Sequence, residues 1–105
     1  MDNLNYYLST DQTKLHNKFS GWTGGNLAIR YVHFNTILYG STIRVNVSAN
    51  IEYSDEGFYT RSYADEKFRE ACDDYVNDNI QRLDDDEYDS IDDIEYYFSL
   101  SFSRM

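Results

Sequence analysis

The chain has 105 residues, one cysteine, no proline and a formal net charge of −10. That length leaves room for one domain with one core. Apolar residues make up 41% and aromatics 17%, enough to pack such a core, which excludes wholesale disorder. Residues 1–50 carry two acids against four bases, and residues 51–105 carry seventeen acids against five bases. A half this acidic excludes a nucleic-acid or anionic-membrane binder working through a basic face, and it suits a partner that is itself basic.

Residues 1–20 lack the basic start and apolar run of an export signal, and no segment approaches the length of a membrane span. Lone Cys72 has no internal disulfide partner. Both features point to a cytoplasmic protein.

Ser9 followed by Gln12 predicts a capping box opening a short N-terminal helix of about ten residues, with Leu15 and Phe19 on its apolar side. Gly21, Gly24 and Gly25 end it around Trp22. Residues 26–39 and 42–53 are rich in β-branched and aromatic side chains. Gly40 and Ser41 between them predict a two-residue hairpin turn.

The second strand alternates, with Ile43, Val45, Val47, Ala49, Ile51 and Tyr53 on one side. Antiparallel pairing then predicts Leu38, Phe34, Val32 and Ala28 beside that row. The opposite face of the first strand would show Ile29, Tyr31, His33, Ile37 and Tyr39. Asp55, Glu56 and Gly57 predict a further turn, returning through Phe58 and Tyr59.

Ser62, with Asp65 three residues on, predicts the cap of the main helix. Ala64, Phe68, Ala71, Cys72, Tyr75, Val76, Ile80 and Leu83 form its apolar stripe. The acid-rich link over residues 84–95 predicts a short helix starting at Ser90. Tyr96, Phe98, Leu100 and Phe102 alternate with Tyr97, Ser99, Ser101 and Ser103 in a last strand. The expected fold is α+β: an antiparallel sheet, made of a hairpin or meander plus the C-terminal strand, packed on one long amphipathic helix with a short N-terminal helix before it.

The main helix carries Glu66, Glu70, Asp74 and Asp78 at i, i+4 spacing, with Asp73 beside them. Four residues of helix rise about 6 Å. That is close to the spacing of successive phosphates along a nucleic-acid strand, roughly 6–7 Å. On its own such a row reads as a solvated face that keeps the protein soluble.

The link adds Asp84, Asp85, Asp86, Glu87, Asp89, Asp92, Asp93 and Glu95, with no base between Arg82 and Arg104. The first four fall where the helix is expected to end, and there anions oppose the macrodipole. Helix and link together therefore predict a continuous negative surface for a basic partner. Tyr59, Tyr75 and Tyr88 are candidate aromatic anchors on it.

Calcium is the specific alternative. Asp84, Asp86, Asp92 and Glu95 match positions 1, 3, 9 and 12 of an EF-hand loop, but Asp89 replaces the glycine at position 6 and Tyr88 stands at position 5. No dedicated metal site and no cofactor are expected. His16 and His33 have no ligand-spaced neighbours, and Cys72 lies in the apolar stripe. Gly21, Gly24 and Gly25 lack the Lys-Ser/Thr of a phosphate-binding loop. No catalytic residues are expected.

In small size, acidity and its carboxylate row (Glu66, Glu70, Asp74, Asp78, then Asp84, Asp85, Asp86 and Glu87) the chain resembles the anti-CRISPR and anti-restriction inhibitors of phages and mobile elements. The resemblance is one of general character. It implies a non-enzymatic inhibitor in a host bacterial cell that occupies the basic nucleic-acid channel of a CRISPR effector nuclease by phosphate mimicry. The alternative is an interaction protein that dimerises or pairs with a host protein through the tyrosine-bearing β face (Ile29, Tyr31, His33, Tyr39), its acids serving solubility only.

Overall fold

The computed structural model describes residues 2–54 and 60–104. Along the chain they form α1 (Asp2–Thr10), α2 (Gln12–Trp22), β1 (Leu27–Tyr39), β2 (Thr42–Tyr53), α3 (Arg61–Ile80), α4 (Asp85–Asp89) and β3 (Asp93–Arg104). The turn expected at Asp55, Glu56 and Gly57, with Phe58 and Tyr59, lies outside the described residues.

The N-terminal region holds two helices where the capping signal predicted one. Leu4 and Leu8, one turn apart, bury one side of α1. Ser9 does not cap: its hydroxyl donates back to the Tyr6 carbonyl at 2.8 Å, and Asp11 precedes α2 without a side-chain cap bond. Gln12 reaches elsewhere, its Nε2 donating to the Val32 carbonyl at 3.1 Å. The end of α2 is a Schellman turn. Gly25 N–H donates to Ser20 O at 2.9 Å and Gly24 N–H to Gly21 O at 3.3 Å. Gly24, at φ +62°, takes the left-handed position that this turn requires.

β1 and β2 form the predicted antiparallel hairpin, closed by Tyr39 opposite Thr42, with Gly40 at φ +60° in the turn. Ile43, Val45, Val47, Ala49 and Ile51 are buried as the alternation requires. The register shifts between Ile29 and Tyr31, so Arg30 is a bulge residue. One extra residue inverts the phase of what precedes it. Leu27 and Ile29 therefore enter the core, and Ala28 takes the other side, which reverses the expectation for both Ile29 and Ala28.

α3 begins two residues earlier than expected. Thr60, not Ser62, is its cap, with Oγ1 accepting from Tyr63 N–H at 3.1 Å. The predicted apolar stripe from Ala64 to Ile80 is the buried face of the helix, joined by Asn79, whose Nδ2 donates to the Tyr75 carbonyl at 2.8 Å; Leu83 is buried too but lies past the helix end. The short helix in the link ends at Ser90, where the spacing predicted a start. Its first turn is Asp85, Asp86 and Glu87, the end at which negative charge is favoured.

Strand order is β1-β2-β3. The fold is α+β as expected, and within it the sheet is mixed, because β3 runs parallel to β2 from Thr42 opposite Asp93 to Tyr53 opposite Arg104. A parallel neighbour requires a long crossover, and α3 with α4 provides it. The Asp92 amide donates to the Ser41 carbonyl at 2.8 Å, which pins the start of β3 to the hairpin turn.

The buried residues form one cluster between the sheet and the helices. Phe19 meets Phe68 edge-on at 5.6 Å, Phe68 meets Phe98 at 6.1 Å, and Phe34 lies 5.5 Å from Tyr75. Among the described residues nothing covers the other face of the sheet, where Tyr31, Tyr39 and Tyr97 are exposed. No described helix is long and apolar enough to cross a membrane.

Candidate functional site

The buried stripe of α3 decides where its acids go. With Phe68, Cys72, Tyr75, Val76 and Ile80 held in the core, Glu66, Glu70, Asp73, Asp74 and Asp78 are all exposed on the outer side. The predicted row exists, but part of it is compensated. Lys18 of α2 reaches Asp74 at 3.3 Å, and Lys67 lies 3.5 Å from Glu70. Asp73 accepts the Tyr96 hydroxyl at 2.8 Å and Asn77 Nδ2 at 3.1 Å. Glu66 and Asp78 form no ion pair among the described residues.

The link is different. Asp84, Asp85, Asp86, Glu87, Asp89, Asp92 and Asp93 also form no ion pair among the described residues. Glu87 accepts only Asn3 Nδ2, at 3.2 Å, and Glu95 lies 3.9 Å from Arg44. These acids occupy the end of the molecule where α3 finishes, α4 turns and β3 begins against the hairpin turn. The molecule is elongated, 47 × 20 × 16 Å, so this end is a pole. α3 ends at Ile80, so Asp85, Asp86 and Glu87 do not oppose its dipole; they open α4 favourably. The strain argued for them on the sequence is absent.

One of the three candidate aromatic anchors changes status. Tyr75 is 4% exposed, its hydroxyl donating to the Leu8 carbonyl at 2.8 Å, so it is a core residue and offers no surface. Burial pushes its phenol up to about 12. Tyr88 is exposed on α4 and stays on the acidic surface, while Tyr59 lies outside the described residues.

Cys72 is fully buried, and burial, helped by neighbouring Asp73, pushes its thiol up and away from a reactive thiolate. Burial lowers His16 on α2, and His33 stands on the open face of β1. Among the described residues no three His, Cys, Asp or Glu side chains come together as a metal-ligand group. The EF-hand reading of residues 84–95 meets a helix over Asp85–Asp89 in place of a calcium loop.

A groove of about 550 Å³ between α2 and α3 is lined by Asp11, Lys14, Lys18, Asp78 and Arg82 among others. Its cations are occupied. Asp11 lies 3.1 Å from Arg82 and 3.6 Å from Lys14.

Sequence reasoning missed one cluster. On the open sheet face Arg44 lies between the rings of Tyr39 and Tyr97, 4.8 Å from each. Its Nε has no hydrogen-bond partner. Alternation puts Arg44 on the outer face of its strand, but only the parallel pairing of β3 brings Tyr97 to it. No protein-family model, no curated protein and no solved structure matches this chain.

Proposed function

We propose that the chain is a non-enzymatic inhibitor, acting in a host bacterial cell, that occupies the basic nucleic-acid channel of a CRISPR effector nuclease by phosphate mimicry. The observation that carries this reading is the run of carboxylates from Asp84 through Asp93 without a single ion pair among the described residues, gathered at one pole. Lys and Arg side chains lining such a channel would supply the missing counter-charges and release bound ions as they do with DNA. Tyr88, half out of the surface beside these acids, supplies an apolar contact that charge alone lacks. The row on α3 extends the same surface, with Glu70 and Asp74 already shared with lysines.

The test is target-DNA binding and cleavage by a panel of effector nucleases and a restriction enzyme, at low and high salt. Wild-type protein is expected to block DNA binding by one of them, with salt relieving the block. The folded variant Asp85→Lys/Asp86→Lys/Asp89→Lys is expected to lose inhibition, and Glu70→Lys/Asp74→Lys to weaken it. Inhibition untouched in both variants would sink phosphate mimicry.

A second reading, association through the open sheet face, is favoured by Tyr31, Tyr39 and Tyr97 standing exposed around stacked Arg44. It loses Ile29, which is buried. Tyr31→Ser/Tyr39→Ser separates the two, because mimicry survives that change and face association does not.

A further inference from the structure

The two edges of the sheet are finished differently. On β1 two backbone groups are taken by helix side chains: Thr36 N–H donates to Asn5 Oδ1 at 2.8 Å, and the Val32 carbonyl accepts from Gln12 at 3.1 Å. On β3 no described group pairs with the backbone of residues 96–103 beyond β2 itself. Nor does β3 carry the usual protections. It is twelve residues long, its register with β2 is unbroken, and it contains no proline or lysine. Residues 96–103 hold no charge at all in a chain with 19 acids.

The side chains at that edge are also incompletely covered. Phe98, Leu100 and Phe102 face the core yet stay half-exposed, whereas their neighbours on β2 are fully buried. They floor a cleft of about 340 Å³ whose other wall is α3, with Arg61, Asp65 and Arg69. α3 runs antiparallel above β3: Arg61 stacks on Phe102 at 5.3 Å, Arg69 on Phe98 at 4.4 Å, and Asp73 binds the Tyr96 hydroxyl. Arg61, Asp65, Arg69 and Asp73 therefore form an i, i+4 row of alternating sign along the open edge, in which Arg69 already pairs with Asp65 at 2.9 Å within the chain.

We propose that this edge joins a second copy of the chain, β3 pairing antiparallel with β3 across a two-fold axis at Ser99 to make a six-stranded sheet. The occupant is argued from self-complementarity. That register sets Phe102 opposite Tyr96 of the second copy and Phe98 opposite Leu100, all on the helix side. It carries Arg61 toward Asp73 of the second copy and Asp65 toward Arg69, so the alternating row meets its own inverse. Residues 96–103 carry no charge, so two chains of net charge −10 approach along them without like charges facing. The two acidic poles then lie at opposite ends of the joint sheet. The proposal is independent of the reading of those poles, and variants of either leave the other testable.

Sedimentation equilibrium of the full chain tests it. The wild type is expected to dimerise in the micromolar range. Arg69→Glu, which turns two symmetric attractions into repulsions, is expected to weaken the dimer by about tenfold or more. The swap Asp65→Arg/Arg69→Asp keeps the sign pattern self-complementary and is expected to restore dimerisation. Amide exchange in residues 96–103 is expected to slow as protein concentration rises. A chain that stays monomeric throughout overturns the proposal, including one that captures an extended peptide there instead. A dimer abolished by Tyr39→Ser and indifferent to Arg69→Glu also overturns it, since that dimer uses the sheet face.

Discussion

The outer row of α3 carries five carboxylates over residues 66–78 and the link that follows it eight over residues 84–95, and the two are compensated differently. On α3, Glu70 and Asp74 have lysines within 3.5 Å, and Asp73 holds two hydrogen bonds. In the link, Asp84, Asp85, Asp86, Glu87, Asp89, Asp92 and Asp93 have no cation. Acid count in a sequence is thus a poor measure of exposed charge. Lys18, from another helix and 56 positions away from Asp74, decides how much of the row is left for a partner.

Both regions depend on the inner face of α3 for their rigidity, and the strongest way to break the contrast is to remove that support. Phe68, fully buried between Phe19 and Phe98, is its centre. Phe68→Ala is expected to cost about 3–5 kcal/mol in urea denaturation. Tyr75→Phe, which orphans the Leu8 carbonyl, is expected to cost about 1 kcal/mol in the same experiment.

The same phenol gives a pH test. Its folded value, up to about 12, lies above the unfolded value near 10, so the fold favours the protonated form. Stability is therefore intact below about pH 10 and lost as pH rises toward about 12, because the unfolded chain releases the proton first. Tyr96, raised by burial and its bond to Asp73, and buried Cys72 act in the same direction. Urea midpoints compared at about pH 8 and about pH 11 check the sign.

Smaller effects sharpen the contrast between row and link. Asp85→Asn/Asp86→Asn/Asp89→Asn relieves uncompensated repulsion and is expected to raise the low-salt melting temperature, net of a few tenths of a kcal/mol lost at each of Asp85 and Asp86 at the start of α4. Salt should erase the gain. Glu70→Gln/Asp74→Asn breaks two exposed ion pairs and is expected to move stability by no more than about 1 kcal/mol, with no gain at low salt. Identical responses in the two regions would remove the distinction between them.

Periodicity carried most of the fold. The apolar stripe of α3, the alternation of β2 and β3 and the glycine-led turn are each local patterns, and the structure has all of them. The caps were less legible, because Thr60 and Ser62, or Ser9 and Asp11, offer the same chemistry a residue or two apart. The bulge at Arg30 did leave a trace: Leu27 and Ile29 keep one alternating phase and Val32 and Phe34 the other. A pairing scheme with no extra residue cannot satisfy both, and Ile29 was accordingly placed on the wrong face.

The candidate surface was half visible. Its acids follow from composition, and the exposure of Glu66 and Asp78 from helical spacing. Tyr75 stands in the apolar stripe as well as among the candidate anchors, and its burial makes it a core residue.

By itself, then, the sequence determined the hairpin, the long helix with its apolar stripe and the alternating last strand, and that the negative charge collects after residue 50. Tertiary structure alone decided that β3 lies parallel to β2, that its outer edge stays open beside a row of alternating charge, and that Lys18 reaches Asp74 while nothing described reaches Asp85 or Asp86. The division has a physical cause. Backbone periodicity acts over a few residues and is written along the chain, whereas charge pairing and strand direction act through space and depend on which distant segments the core brings together.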